Sequence, residues 1–496
     1  MLLSKTNYLL FRECPENTWL KINKPDVYKK NDLSDFEKMI LETGTEVDRL
    51  ARQLFSNGVL VKGSFEITKK LIKNKERVIY QPVFKTNKFE AICDILVYNE
   101  DKKAYDLYEA KSTNSEKEGV SKKRQNELYS YDIAFQVNVL KELKIPLNNI
   151  YLIRLNRDYI RQEKLNIQEL FKIEDFSKNI SEVLTDCYLE MNKAHEKLFS
   201  ISEVNGCSCI YKTKNNHCSS FNYLNKNIDN YSIYDISRIS EKKVKELVSD
   251  NIFSLNEVPD DFSLSERQRN QVDSFNSNKI IVDKEKLQEF LDNIEFPISF
   301  IDYETLPAAV PKYLDYQPYQ HIPFQFSLHV LGSNEKLDHY EFLNEKNERP
   351  DLNFLKNLKK YLPKNGSVLV WNKSFESGIN NNLAKRNPIF SDFLNDINGR
   401  IIDLEIPFKK QIYLHPGFKG KSSIKYILPI LSPQFSYQSL NISDGGKACE
   451  VYSKLINDYY KEDEKKEKIN DLLKYCFLDT LAMYEIYKHC LKIINI

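Results

Sequence analysis

The sequence predicts an α/β fold divided into two or three domains, and three observations carry that reading. The 496 residues exceed what one ordinary core holds. Short apolar, partly β-branched runs alternate with stretches of helical periodicity in both halves of the chain. The stretch Pro297-Ile-Ser-Phe-Ile-Asp-Tyr-Glu-Thr305 reads as a buried strand that ends in two acids. Hydrophobic residues make up 41% and charged residues 29%, the balance of a folded soluble chain rather than a disordered one. No apolar run reaches the roughly eighteen residues of a spanning helix. The first residues lack the basic and apolar regions of a signal peptide, so a cytoplasmic location and no membrane partner are expected. The net charge is +1, from 72 Lys and Arg against 71 Asp and Glu. That sum neither supports nor excludes nucleic acid, because basic grooves and acidic metal sites cancel in it. Nine cysteines in such a chain point to metal ligation or burial rather than to disulfides.

Taken in order, residues 5–22 carry a helical pattern with Leu9, Leu10, Cys14, Trp19 and Leu20 near one face, broken at Pro15. Cys14 at that break either binds a ligand or packs as a small hydrophobe. Residues 34–57 read as a second helix ended by Asn57-Gly58. Residues 78–84 and 89–97 read as a β-hairpin over a polar turn at 85–88. A strand over 104–111, a helix over 129–143 and an apolar strand over 150–154 follow. Residues 226–294 read as a helical connector, with helices over 232–239, 241–249 (Ser240 as N-cap) and 284–293. Beyond the strand at 298–301 come a strand at 324–330, a helix at 351–361 and a strand at 367–371 that runs into a helix through 383. A long helix over 468–494 closes the chain.

Alternation along a strand puts Asp302 and Glu304 on one face, about 6–7 Å apart. Burial makes two such acids repel, and a divalent cation removes the penalty. The same pairing also occurs at strand ends without any catalytic role. Asp94 on the hairpin, with Glu109 and Lys111 sharing a face of the next strand, suits a hydrolytic layout. There the acids hold a metal that activates water and the lysine offsets phosphate charge. A cross-strand salt bridge is the other reading.

The order hairpin with Asp94, strand with Glu109-x-Lys111, helix carrying Gln136, then strand resembles the PD-(D/E)XK nuclease core of the RecB type. Where that type has a histidine four residues after a glycine, this chain has Asp48 after Gly44, with Glu46 nearby. Of its Q-x-x-x-Y pattern, Gln136 is followed by Leu140, whereas Gln125 and Tyr129 have the spacing. The resemblance covers residues 1–225 and implies a [4Fe–4S] cluster on one early and three late cysteines, here Cys14, Cys207, Cys209 and Cys218. Zinc, with His217 as a candidate ligand, and unrelated free cysteines are the competing readings. Cys93, Cys187, Cys449, Cys476 and Cys490 sit in apolar or helical settings and read as packing.

In the C-terminal part, D-x-E at Asp302 and Glu304, N-x-x-F-E at Asn372 to Glu376 and Y-x-x-x-D at Tyr475 to Asp479 resemble the motifs of the DEDD exonucleases, in the tyrosine subtype. Glutamate stands at Glu376 where that family usually has aspartate. The resemblance covers residues 295–496 and implies an RNase H-like fold with carboxylates holding two Mg2+ or Mn2+ ions and the tyrosine orienting water. The basic, aromatic loop at 408–426 either grips phosphates and stacks bases or is solvated. As a whole the chain resembles a bacterial family that fuses a RecB-like module and a cysteine cluster to such an exonuclease domain. The expectation is a metal-dependent nuclease acting on DNA or RNA ends, with Asp302, Glu304, Glu376, Tyr475 and Asp479 as one site and Asp94, Glu109 and Lys111 as another. A nucleic-acid-binding scaffold without catalysis is the alternative. An iron–sulfur redox protein is a third reading, in which the carboxylate sets would have no role.

Overall fold

Residues 1–28, 35–114, 120–200 and 203–495 are described by a computed structural model. The chain is mixed α/β and divides into two units: Met1–Asn227 with Ala309–Gln320, and Ile228–Ala308 with His321–Ile496. Among the described residues, no helix is long and apolar enough to cross a membrane.

The first unit is built on a six-stranded sheet. Its strands are β1 (Val59–Leu60), β2 (Val78–Tyr80), β3 (Ile95–Asn99), β4 (Ala104–Asn114), β5 (Leu147–Leu155) and β6 (Phe171–Asp175), in the order β1-β2-β3-β4-β5-β6. β4 pairs antiparallel with β3 and parallel with β5. Alternation sends side chains to two cores. Ile79, Leu96 and Leu152 join one, while Val78, Ile95 and Ile153 join the other. The first core is closed by helices α1 (Lys5–Glu13), α2 (Pro15–Asn23), α4 (Val120–Glu142) and α5 (Ser177–Ser200). The second is closed by α3 (Asp35–Ala51).

The expected hairpin is divided between two sheets. Val78–Tyr80 pairs with Ile95–Asn99, but Val83–Lys85 and Phe89–Ile92 turn away into a small sheet with Leu3–Ser4. Gln81 at φ 49° and Pro82, which has no N–H to give a ladder, make the bend. α3 ends at Ala51 and continues as a short 3-10 turn, so it stops before Asn57; Ser34, its expected start, lies outside the described residues. α5 was not foreseen, although Ile180, Cys187, Met191, Ala194 and Leu198 recur at helical spacing and are all buried.

Residues 309–320 lie between two strands of the second unit in sequence, yet they complete the first. Ala309 joins the core of Val47, Leu50 and Ile153. Arg161 donates to the Pro311 carbonyl, and the Tyr319 hydroxyl donates to the Ser112 carbonyl.

The second unit has a five-stranded sheet, ordered β9-β8-β7-β10-β11. These strands are β7 (Ile298–Pro307), β8 (His321–Leu331), β9 (Leu337–Leu343), β10 (Val368–Val370) and β11 (Ile401–Asp403). β7 is central, antiparallel to β8 and parallel to β10. Its Ile301 and Tyr303 enter the core beneath α6 (Asp351–Tyr361) and α7 (Lys373–Arg386). Its other face carries Phe300, Asp302 and Glu304. The last helix, α10 (Glu462–Ile494), lies against that face, with Phe300 meeting Tyr484 and Tyr487. Gln325 donates to the Leu472 carbonyl, and Ser327 and His329 both meet the Thr480 hydroxyl, so β8 fixes the register of α10.

The segment expected as a separate connector belongs to this unit. Ile281–Val282 pairs with Tyr413–Leu414, and the Ser237 amide donates to Gln271. Gly420 sits at φ +70°, the left-handed region that favours glycine, with the Gln271 amide packed over it. The expected helix at 232–239 is a single 3-10 turn, Ile233–Asp235, closed by a Ser232–Asp235 capping box.

Candidate functional site

The carboxylates of Asp302, Glu304 and Asp479 come together in the second unit, with ligand oxygens within 4.8 Å of one another. β7 supplies the first two, two residues apart on one face. α10 supplies Asp479, with Tyr475 one turn before it. Glu304 is 8% exposed and Asp479 7%. Burial, and then mutual repulsion, pushes these acids up: Asp479 to about 8, and Glu304 well above the ordinary range. Burial also pushes Asp302 up, to about 6, against a hydrogen bond from Cys476 and the Lys425 charge. Among the described residues, none of the three acids has an ion-pair partner within 4 Å.

Two neighbours join the set: Tyr437, which the sequence reading missed, and Lys425, which it placed only in the basic 408–426 loop. The Tyr437 hydroxyl donates to Asp479 Oδ1 at 2.6 Å, and Tyr475 adds a second hydrogen bond to the same carboxylate. Lys425, on α8 (Ile424–Leu431), lies over the rings of Tyr437 and Tyr475 at 5.6 and 5.3 Å and donates to the Ser443 carbonyl. Tyr437 stands in a short 3-10 turn whose sequence carries no motif, whereas Lys425 belongs to the basic 408–426 segment and is brought in by the packing of α8 on α10.

Glu376 is buried on the first turns of α7, and its charge acts on Asp302 and Glu304. Burial, then Asp302, pushes it up to about 9. Its Oε2 is buried without a hydrogen-bond partner. Its carboxylate nevertheless falls outside the group of three, so the expected fourth ligand stands beside the set rather than in it. The aromatic loop at 408–426 is divided, with three rings turned inward and Tyr426 48% exposed. Phe408, Tyr413 and Phe418 are buried against one another, which leaves none of these three rings to stack on a base. Lys410, Lys419 and Lys421 of the same loop are exposed.

In the first unit, Glu109 and Lys111 share a face of β4, and the β3–β4 register continues to set Asp94 opposite Glu109. Asp94 accepts the Ala110 amide at 2.8 Å. Two further residues complete the cluster. Asp132 on α4 binds Lys111 at 2.6 Å, and Lys5 on α1 binds Glu109 at 3.0 Å and Asp132 at 2.9 Å. Gln136, one turn from Asp132, donates to Glu109 at 3.0 Å. Burial, then Glu109, pushes Asp94 up to about 7. Burial works against the charged forms of Glu109 and Asp132 too, but Lys111 and Lys5 overcome it and hold both below the ordinary range. Asp48 is paired with Arg52 and accepts from Gln81 at 3.1 Å. The spacing of Asp132 and Gln136 could have signalled the helix side of this cluster; nothing local signals Lys5.

This network predicts a stability effect. Glu109→Gln would leave two buried ammonium groups sharing Asp132, and unfolding in urea should show a loss of about 3–5 kcal/mol. A loss below about 1 kcal/mol would mean that the two ammonium groups do not depend on Glu109 for their neutralisation.

The Sγ atoms of Cys14, Cys207, Cys209 and Cys218 lie within 4.8 Å of one another and form a set that could hold a metal ion. Cys14 caps α2 at the Pro15 break, and the other three follow α5. His217 is outside the set; its ring stacks on Phe221 and its Nε2 meets the Lys212 carbonyl at 3.1 Å. Cys93, Cys187, Cys449, Cys476 and Cys490 are buried elsewhere, as packing requires.

A family described as a domain of unknown function (DUF2779) matches residues 299–423, a span that includes Asp302, Glu304 and Glu376 but stops before Tyr475 and Asp479. No curated protein and no solved structure gives a match.

Proposed function

We propose that this chain is a metal-dependent nuclease that hydrolyses phosphodiester bonds at a nucleic-acid 3′ end in its C-terminal unit. One observation carries the reading: the carboxylates of Asp302, Glu304 and Asp479 have ligand oxygens within 4.8 Å of one another, and Glu304 and Asp479 are buried. Three like charges so placed are costly unless protonated or neutralised by a cation. Their hard oxygen donors suit Mg2+ or Mn2+. Ions bound there would supply Lewis acidity, making hydroxide from water and stabilising the leaving oxygen. The strand order β9-β8-β7-β10-β11, with the first strand central, supports an RNase H-like reading of this unit. The β3–β4 acids followed by α4 and parallel β5 support a PD-(D/E)XK-like reading of the other.

The chain's own residues then have separable tasks. Asp302, Glu304 and Asp479 hold the ions. Tyr437 fixes the Asp479 carboxylate through its 2.6 Å hydrogen bond. Tyr475, on the same helix face, also hydrogen-bonds the Asp479 carboxylate, and its hydroxyl oxygen would accept from and so orient the attacking water. Glu376 stands beside Asp302 as a further carboxyl group, protonated until a bound cation lowers its pKa. Misplacing a reacting group by about 1 Å costs about 100-fold. Tyr475→Phe should therefore lower kcat by roughly that factor with little change in KM. An unchanged initial rate would remove the tyrosine from the mechanism.

The first unit supports a different role. Lys5 and Lys111 neutralise Glu109 and Asp132, so these acids have no need of an ion. We read this module as a binding or structural unit in which the nuclease-like layout is filled by the chain's own ammonium groups. The test is degradation of labelled single-stranded DNA and RNA in Mn2+ or Mg2+, with free and blocked 3′ ends. Asp302→Ala/Glu304→Ala should abolish cleavage and Asp94→Ala/Lys111→Ala should spare it. The reverse pattern would move the hydrolytic centre to the first unit. Binding without cleavage by the unmutated chain would favour the scaffold.

A further inference from the structure

The cluster that the family resemblance implies does not fit the four sulfurs as they stand. In a [4Fe–4S] cluster each thiolate sits on its own iron at a corner of the cube, which sets the cysteine sulfurs roughly 6 Å apart. Here all four lie within 4.8 Å of one another, and Cys14–Cys207 and Cys207–Cys218 are each at 3.5 Å. A single ion with four sulfurs at about 2.3 Å sets them about 3.8 Å apart at the corners of a tetrahedron. An extended Cys-x-Cys would hold its two sulfurs about 6–7 Å apart; the 3-10 turn Ser208–Tyr211 folds Cys207 and Cys209 closer than that.

The surroundings are those of a closed structural site. Cys14 is 0%, Cys207 6% and Cys209 1% exposed. The Asn17 amide donates to Cys14 Sγ and the Cys209 amide to Cys207 Sγ, both at 3.4 Å, as backbone amides do toward bound thiolates. Glu16 links the two sides, accepting from the Ser208 amide at 3.0 Å and from Lys197 at 2.9 Å. His217 is turned to Phe221, so the donor set is four sulfurs with no imidazole.

We infer that Cys14, Cys207, Cys209 and Cys218 bind one zinc ion, a structural tetrathiolate staple rather than an iron–sulfur cluster. Zinc binding deprotonates the thiols and releases their protons to solvent. The ion has no open position and takes no part in hydrolysis. It joins the start of α2 to the segment after α5, with Cys14 and Cys207 193 positions apart, and so closes a very long loop. The inference is independent of the nuclease reading, because the metal count does not depend on what the second unit cleaves.

The test uses the full chain, purified without oxygen from cells supplied with both iron and zinc. About one zinc per chain, no acid-labile sulfide and no visible absorbance are expected. Cys218→Ser should lose most of the zinc, while Cys187→Ser, at a buried thiol outside the set, should keep it. Should Cys218→Ser fail to fold, cobalt exchanged into the unmutated chain answers instead, by the visible bands of a tetrahedral thiolate site. Iron with stoichiometric sulfide, a metal-free chain with four reactive thiols, or zinc retained by a folded Cys218→Ser would each overturn the assignment.

Discussion

Asp302→Asn should abolish nuclease activity and at the same time stabilise the metal-free protein. The first effect follows from the proposed role of Asp302 as a ligand that anchors charge where it develops in the transition state. Losing several kcal/mol of that stabilisation corresponds to at least about a 1,000-fold fall in rate. The second effect has the opposite sign because Asp302 is held as a buried acid among like charges. Burial pushes its pKa up to about 6 from an ordinary 3.8. A shift of about two units corresponds to on the order of 3 kcal/mol of strain on the ionised form at neutral pH. A neutral amide of the same shape removes that strain. In EDTA, Asp302→Asn should therefore melt above the unmutated chain, whereas in Mn2+ the order should reverse, since only the unmutated chain gains from the ion. Thermal melts in the two buffers, beside initial rates on labelled single strands, give both readings. Loss of stability in EDTA would assign Asp302 a structural role instead.

The pH dependence of stability should be equally large. In the metal-free second unit, Asp302, Asp479 and Glu376 keep their protons up to about 6, 8 and 9. Unfolded, they release them near 4. Between these limits the native state binds more protons, so stability falls as pH rises. The contribution is whole below about pH 4 and is lost as pH passes through the folded values. Each titrating group costs on the order of 1.4 kcal/mol per pH unit. Glu109 and Asp132 in the first unit behave in the opposite way: their pKa values are depressed, so their contribution is present above the ordinary carboxylate range and lost in acid. The metal-free chain should be most stable in mildly acidic buffer, and Mn2+ should move the optimum upward. The two tryptophans of the chain are Trp19 and Trp371, one in each unit. A Trp19→Phe variant thus leaves one fluorescent reporter of the second unit. Its urea midpoint in EDTA should drop by several tenths of a molar or more from pH 5 to pH 8.5. Equal midpoints would mean that the three acids titrate in the folded chain near their unfolded values, being better solvated than their burial implies.

What could be read in the sequence was what local periodicity encodes. Asp302 and Glu304 share a strand face, and Tyr475 and Asp479 share a helix face, so each pair was visible from spacing alone. That the two pairs meet depends on α10 docking through Gln325, Ser327 and His329, which no local pattern states. Lys5 joins a cluster more than a hundred positions away, and Tyr437 sits in a short 3-10 turn with no periodicity to mark it. The hairpin was legible but its bend was not, although Pro82 stood in plain view as a residue that cannot continue a ladder. The buried rings of the 408–426 loop show the limit of composition. The same aromatic residues serve as a hydrophobic cluster or as a stacking platform, and only packing decides.

The excursion of residues 309–320 bears on how this protein can be inherited. Because the chain passes between its units at 227/228, 308/309 and 320/321, the two share three peptide links rather than one. A gene split at 227 would deprive the first product of the strip carrying Ala309 and Tyr319, and would leave the second with a strand connection that has no core of its own to enter. Recombination could exchange whole chains of this kind but not their halves. The two units are therefore bound to one reading frame by their topology.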